Sequence, residues 1–340
     1  MRGDTLAIDV GATRTRIALV HGGLIGRRWE GPTAELAAPH RGVGDGLVHA
    51  ARSLAQEAGG TSVARVGVGL AAAVDASGSV LQPRDFGIPA GPVLREVIGE
   101  AFGVPVAVDN DANLAAIAEQ QLGAAREYTN VAVMTLGTNI GVGLILEGRL
   151  HRGAHGAAGE AGLLLVPAVA TGERSGELPV VDAGALGRAA SAAPAGYAWI
   201  EELVGGGALA AAADGGATEG RASDRRVFAA HARADPAIQQ LVDRALEGWA
   251  LIVADLSVVL DLEAVVLTGG VAEDAAHLLD PLQRRVAELV AIAPEIRLGS
   301  LGPDAELLGA DLFARAAIDP SAAQDARAGL SAHSAGGPLG

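Results

Sequence analysis

Short apolar blocks punctuate this chain, and their period changes in a regular order. Residues 5–9 and 15–20 are two β-rich runs, and 24–29 is a third, reached through His21-Gly22-Gly23. That spacing predicts a three-stranded antiparallel meander. Apolar positions at helical spacing then mark 44–58, a strand pattern marks 63–70, Asp75-Ala76-Ser77-Gly78 is a turn, and 93–102 is helical again. The run at 105–108 reads as a buried strand feeding an alanine-rich helix that carries Glu119 near its middle. The order β-β-β-α-β-α-β-α predicts a mixed sheet with helices against it.

A second set of strands begins after Asn130. Residues 131–136 are apolar, Gly137-Thr138-Asn139-Ile140-Gly141-Val142-Gly143 reads as a loop, 144–146 is a strand and Glu147-Gly148 a hairpin turn. Strand, Gly/Thr loop, strand, turn, strand repeats the first meander, so the chain reads as a duplicated α/β unit. Farther on, 199–212 is a helix broken at Gly205-Gly206-Gly207, 237–260 a long buried helix, 264–267 a strand and 306–317 a last helix. The expected division is a first domain over 1–110, with the last helix packed back on it, and a second over 111–305. Residues 168–194 read as a low-complexity loop and 319–340 as a disordered tail with little to bury.

Composition narrows the function classes. The 340 residues carry a net charge of −15, which argues against a nucleic-acid surface. No uncharged apolar run approaches the roughly 18 residues of a membrane span. The N-terminus leads straight into a strand pattern without a signal peptide, and cysteine is absent. Disulfides, thiol catalysis and Cys-ligated zinc are therefore excluded, and a cytoplasmic protein is expected. Lysine is absent as well, so any phosphate site must work through local amides, hydroxyls and arginines.

Candidate chemistry lies where strands end. Asp9-Val10-Gly11-Ala12-Thr13-Arg14 sits between the first two strands. It reads either as an ordinary hairpin loop or as a turn whose amides and hydroxyl face a phosphate, with Asp9 holding Mg²⁺ through water. Gly137, Thr138 and Gly141 repeat the pattern in the second half. Gly269-Gly270 follows a strand directly and permits close approach of a flat ligand, or is a plain strand-to-helix turn. Asp109-Asn110-Asp111-Ala112-Asn113 puts polar groups at the carboxyl end of the sheet, where open α/β sheets bind ligands. Its other reading is a turn in which Asp111 or Asn113 caps the helix. Glu160 stands alone among small residues in a glycine-rich loop, facing a ligand or solvent. His151 and His155 flank that loop and read as surface or satisfied side chains.

These motifs occur in one order: Asp-x-Gly-x-Thr, Asn-Asp-Ala-Asn, Gly-Thr-x-Ile-Gly, Ala-Gly-Glu-x-Gly and a late Gly-Gly turn. In that order the chain resembles the ROK family (repressors, open reading frames and sugar kinases) of the actin-like ATPase superfamily, over residues 5–317. The resemblance implies a ribonuclease H-like fold with two duplicated domains and a cleft between them. It implies ATP and Mg²⁺ as cofactors and a small sugar or cyclitol as substrate, with no nucleic acid or membrane partner, and a homodimer. Asp9, Gly11, Thr13 and Arg14 would form the first phosphate loop, and Gly137, Thr138 and Asn139 the second. Gly269 and Gly270 would lie against adenosine. Asn110, Glu160 and Asp85 would face the sugar, and Asp111 would be the catalytic base.

The departures fall on the sugar side. Many members carry His where this chain has Leu163, followed by a cysteine cluster that binds zinc with it; no zinc site is expected here. The family's Pro-Gly-Pro-Val-Asp turn appears as Ala71-Ala72-Ala73-Val74-Asp75, and its Asn-Leu pair as Asp85-Phe86. A kinase for a hexose, amino sugar or cyclitol is the leading expectation. A family repressor would need an N-terminal DNA-binding domain, for which the motif at Asp9 leaves no room. A sugar sensor without catalysis is the remaining alternative.

Overall fold

The structure, a computed structural model, describes residues 3–37, 42–59, 62–82, 87–167, 197–213, 227–228 and 236–318. Asp85, the stretch 168–194 and the tail 319–340 lie outside the described residues.

The meander forms as the pattern predicts. Strands β1 (Asp4–Val10), β2 (Arg14–His21) and β3 (Leu24–Pro32) pair antiparallel, and β4 (Val63–Leu70) and β5 (Val106–Asn110) extend the sheet in parallel from β1. A second sheet repeats this plan. Strands β6 (Val131–Leu136), β7 (Ile140–Leu146) and β8 (Arg149–Leu150) are antiparallel, while β11 (Ala264–Thr268) and β12 (Glu295–Leu298) add in parallel to β6. The orders β3-β2-β1-β4-β5 and β8-β7-β6-β11-β12 are equivalent, so the duplication legible in the motifs is real in the fold. Between the two halves of the second sheet, β9 (Leu165–Pro167) and β10 (Tyr197–Trp199) make a small ribbon.

Period-2 alternation decides what each face of the first sheet does. Leu6, Ile8 and Val10 pack under α2 (Val43–Glu57) and α3 (Val93–Phe102), while Ala7 faces the opposite way. A short α1 (Thr33–Ala37) follows the meander. The opposite face is covered by α10 (Ala305–Ile318), which returns to the first sheet from β12. Next to it lies α4 (Asp111–Leu122), whose Ala115 and Ala116 pack on Val131, Val133 and Ile145 of the second sheet. First sheet, α10, α4 and second sheet therefore stack in that order. Glycine makes the stack tight. A methyl group on Gly67 would lie 2.1 Å from Ala310 O, one on Gly309 2.0 Å from Leu114 O, and one on Gly143 2.3 Å from Ala112 O. That explains the alanines where α4 meets β7: at Ala112 and Ala116 the two backbones approach at short range, and a larger side chain finds no space there.

The second core lies beyond the other face of β6 and β7. There α5 (Ile200–Val204), α6 (Gly206–Ala213) and α7 (Pro236–Leu260) pack Val204, Leu209 and Trp249 on Met134, Val142 and Leu144. Helices α8 (Gly270–Asp274) and α9 (Leu279–Leu289) complete it. Two boundaries differ from the sequence reading. Strand β5 runs on to Asn110, and β7 begins at Ile140, so Gly141 and Gly143 belong to a strand. Glycines that look like loop residues are here the small residues that let α4 press on β7. Among the described residues no helix is long and apolar enough to cross a membrane.

Candidate active site

The site is assembled at the ends of β1, β5 and β6. The turn after β1 is closed by Gly11 N donating to Arg14 O at 2.9 Å, and a methyl on Gly11 would meet that oxygen. Thr33, opening α1, braces the loop: its Oγ1 donates to Gly11 O at 2.7 Å and its amide to Thr13 O at 3.0 Å. The second loop shrinks to residues 137–139. It is braced from α5 and α6, with Gly206 N on Gly137 O, Gly207 N on Thr138 O, and Glu201 Oε2 accepting from Ile140 N at 3.0 Å. The two loops meet, because Thr13 Oγ1 and Thr138 Oγ1 share a 3.0 Å hydrogen bond across 125 residues of sequence.

Asp9 shares the face of β1 that α10 covers and is buried. Its Oδ2 accepts from Arg16 Nε at 3.0 Å and Nη2 at 2.8 Å, and Arg16 also reaches Glu306 Oε2 at 3.1 Å. Asp111, at the start of α4, lies beside it. A methyl on Gly69 would sit 3.7 Å from Asp9 Oδ1 and 3.6 Å from Asp111 Cα, so the Asp9 carboxylate and the start of α4 meet over one point of β4. Burial first, then the charges of Asp9, Glu306 and Glu160, raise the Asp111 carboxyl well above the ordinary carboxylate range. Burial likewise pushes Glu306 up to about 7, against the pull of Arg16.

Asn110 caps α4: its Oδ1 accepts from Asn113 N at 3.2 Å, and its Nδ2 donates to Ala72 O at 3.1 Å. Of the two residues the sequence offered as caps, neither takes that place, and Asp111 Oδ1 accepts from its own neighbour's amide, Ala112 N, at 2.8 Å. Glu160 precedes the 3-10 turn 161–163 in the loop after β8, with Leu163 44% exposed beside it. His151 and His155 are exposed. Arg14 is exposed and pairs with Glu30 on β3. Asn139 is exposed at the tip of the second loop. Gly269 follows β11 at φ 94°, its Cα 's open side against Leu136 O at 2.5 Å for any added methyl, and Gly270 starts α8.

Three partners escaped the sequence reading, and the first is Arg152. Asp109 is 2% exposed, and its Oδ2 accepts from Arg152 Nε at 2.8 Å and Nη2 at 2.5 Å, tying β5 to the segment after β8. Its Oδ1 accepts from Asn113 Nδ2 at 2.9 Å. Arg16 and Glu306 are the others. The Asp9 and Arg16 pairing could have been read, since a turn at 11–14 sets those residues opposite one another. Arg152 and Glu306 arrive from far along the chain and leave no local signal.

Two sheets of equivalent order, with loops meeting in a cleft between them, define the actin-like ATPase class, and the solved relatives share it. The profile of the ROK family matches residues 5–317, and the chain belongs to that family. It is 33% identical over 313 residues to a bifunctional enzyme NanE/NanK of Brucella suis, covering 91% of this chain and 53% of the relative. The chain thus spans about half the length of that relative. An N-acetylmannosamine kinase of Haemophilus influenzae is 27% identical, covering 90% of this chain and 93% of the relative. A ROK family glucokinase of Streptomyces griseus, solved with glucose and AMPPNP, superposes at a TM-score of 0.71 with 25% identity, covering 92% and 99% of the two chains. An N-acetylmannosamine kinase and a glucokinase are thus among the relatives, as is a ROK family transcriptional regulator that superposes at a TM-score of 0.70 with 21% identity.

Proposed function

We propose that this protein transfers a phosphoryl group from ATP to a hydroxyl of a sugar or sugar-like polyol, with Asp111 as general base. The observation that carries the reading is the desolvated Asp111 carboxyl beside Asp9, under two glycine-threonine loops joined by their hydroxyls. A nucleotide and its magnesium fit this donor set. Carboxylate oxygen is a hard ligand that suits Mg²⁺ held through water, and unhindered amides and hydroxyls suit phosphate oxygens. Magnesium, when bound, neutralises phosphate charge.

The chain's own groups do the rest. Thr13 and Thr138, each fixed by backbone bracing of its loop, clasp the phosphates. Gly269 and Gly270, directly after β11, are assigned to the adenosine. Asp111 accepts the proton of the attacking hydroxyl as its oxygen bonds to the γ-phosphorus and the bond to ADP breaks. The raised basicity of a desolvated carboxylate makes it a better proton acceptor than a free aspartate. Asn110 and Glu160 stand at the sugar end. We assign the polyol contacts to Glu160 and to Asn110, whose Oδ1 keeps a second lone pair beside its bond to Asn113 N. Leu163, in place of a polar side chain, favours substrates that present carbon, such as N-acylated amino sugars or cyclitols, over glucose.

A phosphorylation screen with ATP and Mg²⁺ across hexoses, amino sugars and cyclitols tests the reading. At least one should yield a sugar phosphate and ADP in equal amounts. ADP release without any acceptor dependence would contradict it.

A further inference from the structure

The cluster that the proposed mechanism leaves unused is Arg16 with Glu306. Arg16 stands opposite Asp9 across the β1–β2 pair, on the face that α10 covers. All three of its guanidinium nitrogens donate. Nε and Nη2 hold Asp9 Oδ2, Nη2 also meets Glu306 Oε2, and Nη1 donates to Pro303 O. Both Asp9 contacts fall on one oxygen, and the other, Oδ1, lies on the side of Gly69 and Asp111.

Where Arg16 takes its own support is informative. Residues 299–304 link β12 to α10 and carry the chain from the second sheet back to the first. This link is fastened at several points. Ser300 N and Leu301 N donate to buried Glu119 of α4 at 3.3 and 3.1 Å, and Arg28 on β3 pairs with Asp304 at 3.0 Å. Arg16 grips the same link through Pro303 O and the first turn of α10 through Glu306.

We propose that Arg16 and Glu306 are positioning residues for Asp9. Arg16 clamps one carboxylate oxygen from the side of the crossing link, so the other is presented to the cleft, and Glu306 anchors Arg16 to α10. This rests on the reading of Asp9 as the carboxylate that holds magnesium. A planar guanidinium is needed because three acceptors at different angles are met at once, which an ammonium on a flexible stem does not reproduce. Arg16 thereby connects the link between the sheets to the carboxylate at the nucleotide.

The test is calorimetric binding of AMPPNP over a Mg²⁺ titration, with thermal stability of the ligand-free protein measured alongside. Wild type is compared with Arg16→Lys, Arg16→Met and Glu306→Gln. Lysine keeps the charge and loses the fork. We expect the Mg²⁺ needed for half-maximal tight binding to rise about tenfold in both Arg16 variants and about threefold in Glu306→Gln. AMPPNP affinity without Mg²⁺ should stay within about twofold of wild type in Arg16→Lys. A wild-type Mg²⁺ dependence in Arg16→Lys overturns the proposal. So does a loss of thermal stability in the variants with no change in Mg²⁺ dependence, which is what a purely structural cluster would give. Should Arg16→Met not fold, the other two variants decide the matter. A wild-type protein that binds no AMPPNP at any Mg²⁺ concentration refutes the kinase reading itself and this proposal with it.

Discussion

Replacing Arg152 by alanine should cost the fold far more than a surface arginine would. Arg152 sits after β8, 30% exposed, and holds Asp109, whose side chain is 2% exposed at the end of β5. Two N–H groups converge on one Asp109 oxygen. The same guanidinium lies 5.2 Å from the centre of the Phe313 ring on α10. One residue therefore touches the first sheet, the second sheet's last hairpin and the returning helix. Breaking a buried pair by removing one partner costs about 3–5 kcal/mol, because the other charge stays buried. Two features lower that here. Asp109 Oδ1 keeps Asn113 Nδ2 and its own neighbour's amide, Asn110 N, and water can enter where Arg152 was open. Loss of the ring contact adds about 0.5–1 kcal/mol. We expect about 2–4 kcal/mol in total, or a Tm about 4–16 °C lower at roughly 2–4 °C per kcal/mol. Asp109→Asn should cost less, since the freed arginine can rehydrate, and the double mutant should show positive coupling. Calorimetry of the four proteins measures this. An Arg152→Ala Tm within about 2 °C of wild type would show the pair to be worth no more than an exposed one, and the argument from burial would be wrong.

Three further outcomes follow from the geometry. The base must be ionised to accept a proton, so the rate should rise with pH through the Asp111 pKa, with an acid limb displaced upward from the ordinary aspartate range; a limb at the free-aspartate position would contradict the desolvated site. Stability should move the other way: Glu306, raised from 4.5 to about 7, favours the folded state most fully below its unfolded pKa, and that contribution is lost as pH rises through about 7, so Glu306→Gln should flatten the decline in chemical denaturation. Leu163→His should narrow a preference for N-acylated sugars or cyclitols over glucose that we place at about five- to a hundredfold in kcat/KM, the worth of about 1–3 kcal/mol for one unpaired hydroxyl; glucose as the best wild-type substrate would overturn that view of the pocket. In addition, Gly143→Ala puts a methyl 2.3 Å from Ala112 O and 2.5 Å from Ala116 Cβ, and should lower stability in urea by about 1–3 kcal/mol or more, because a backbone oxygen cannot turn aside.

How much of this was legible depends on whether a feature is local. The meander, the long helix 236–260 and the returning last helix carry their own periodicity, and each element forms close to its expected bounds. The Gly-Thr loops and the polar end of β5 were legible because strand ends and glycines leave a signature within a few residues. The error at Gly141 and Gly143 has a physical source: glycine signals a turn and also a close helix contact, and only the position of α4 distinguishes them. Asn110 was passed over as the helix cap because several polar residues in succession can all cap, and the choice is made by the exact end of β5. Arg152 on Asp109 and Glu306 on Arg16 are set by how α10 and the second sheet meet the first, across 43 and 290 residues of sequence. No window of the sequence contains them.

We assign to Asp111 the proton of the attacking sugar hydroxyl. The most direct measurement is phosphoryl transfer by Asp111→Asn with the best acceptor from the screen, alongside AMPPNP binding by the same protein. Asparagine keeps the shape and cannot accept the proton. We expect a kcat lower by about 10²–10⁴-fold with nucleotide affinity changed by less than about threefold. Near-normal turnover in that variant would contradict it and leave Asp111 as no more than the first residue of α4.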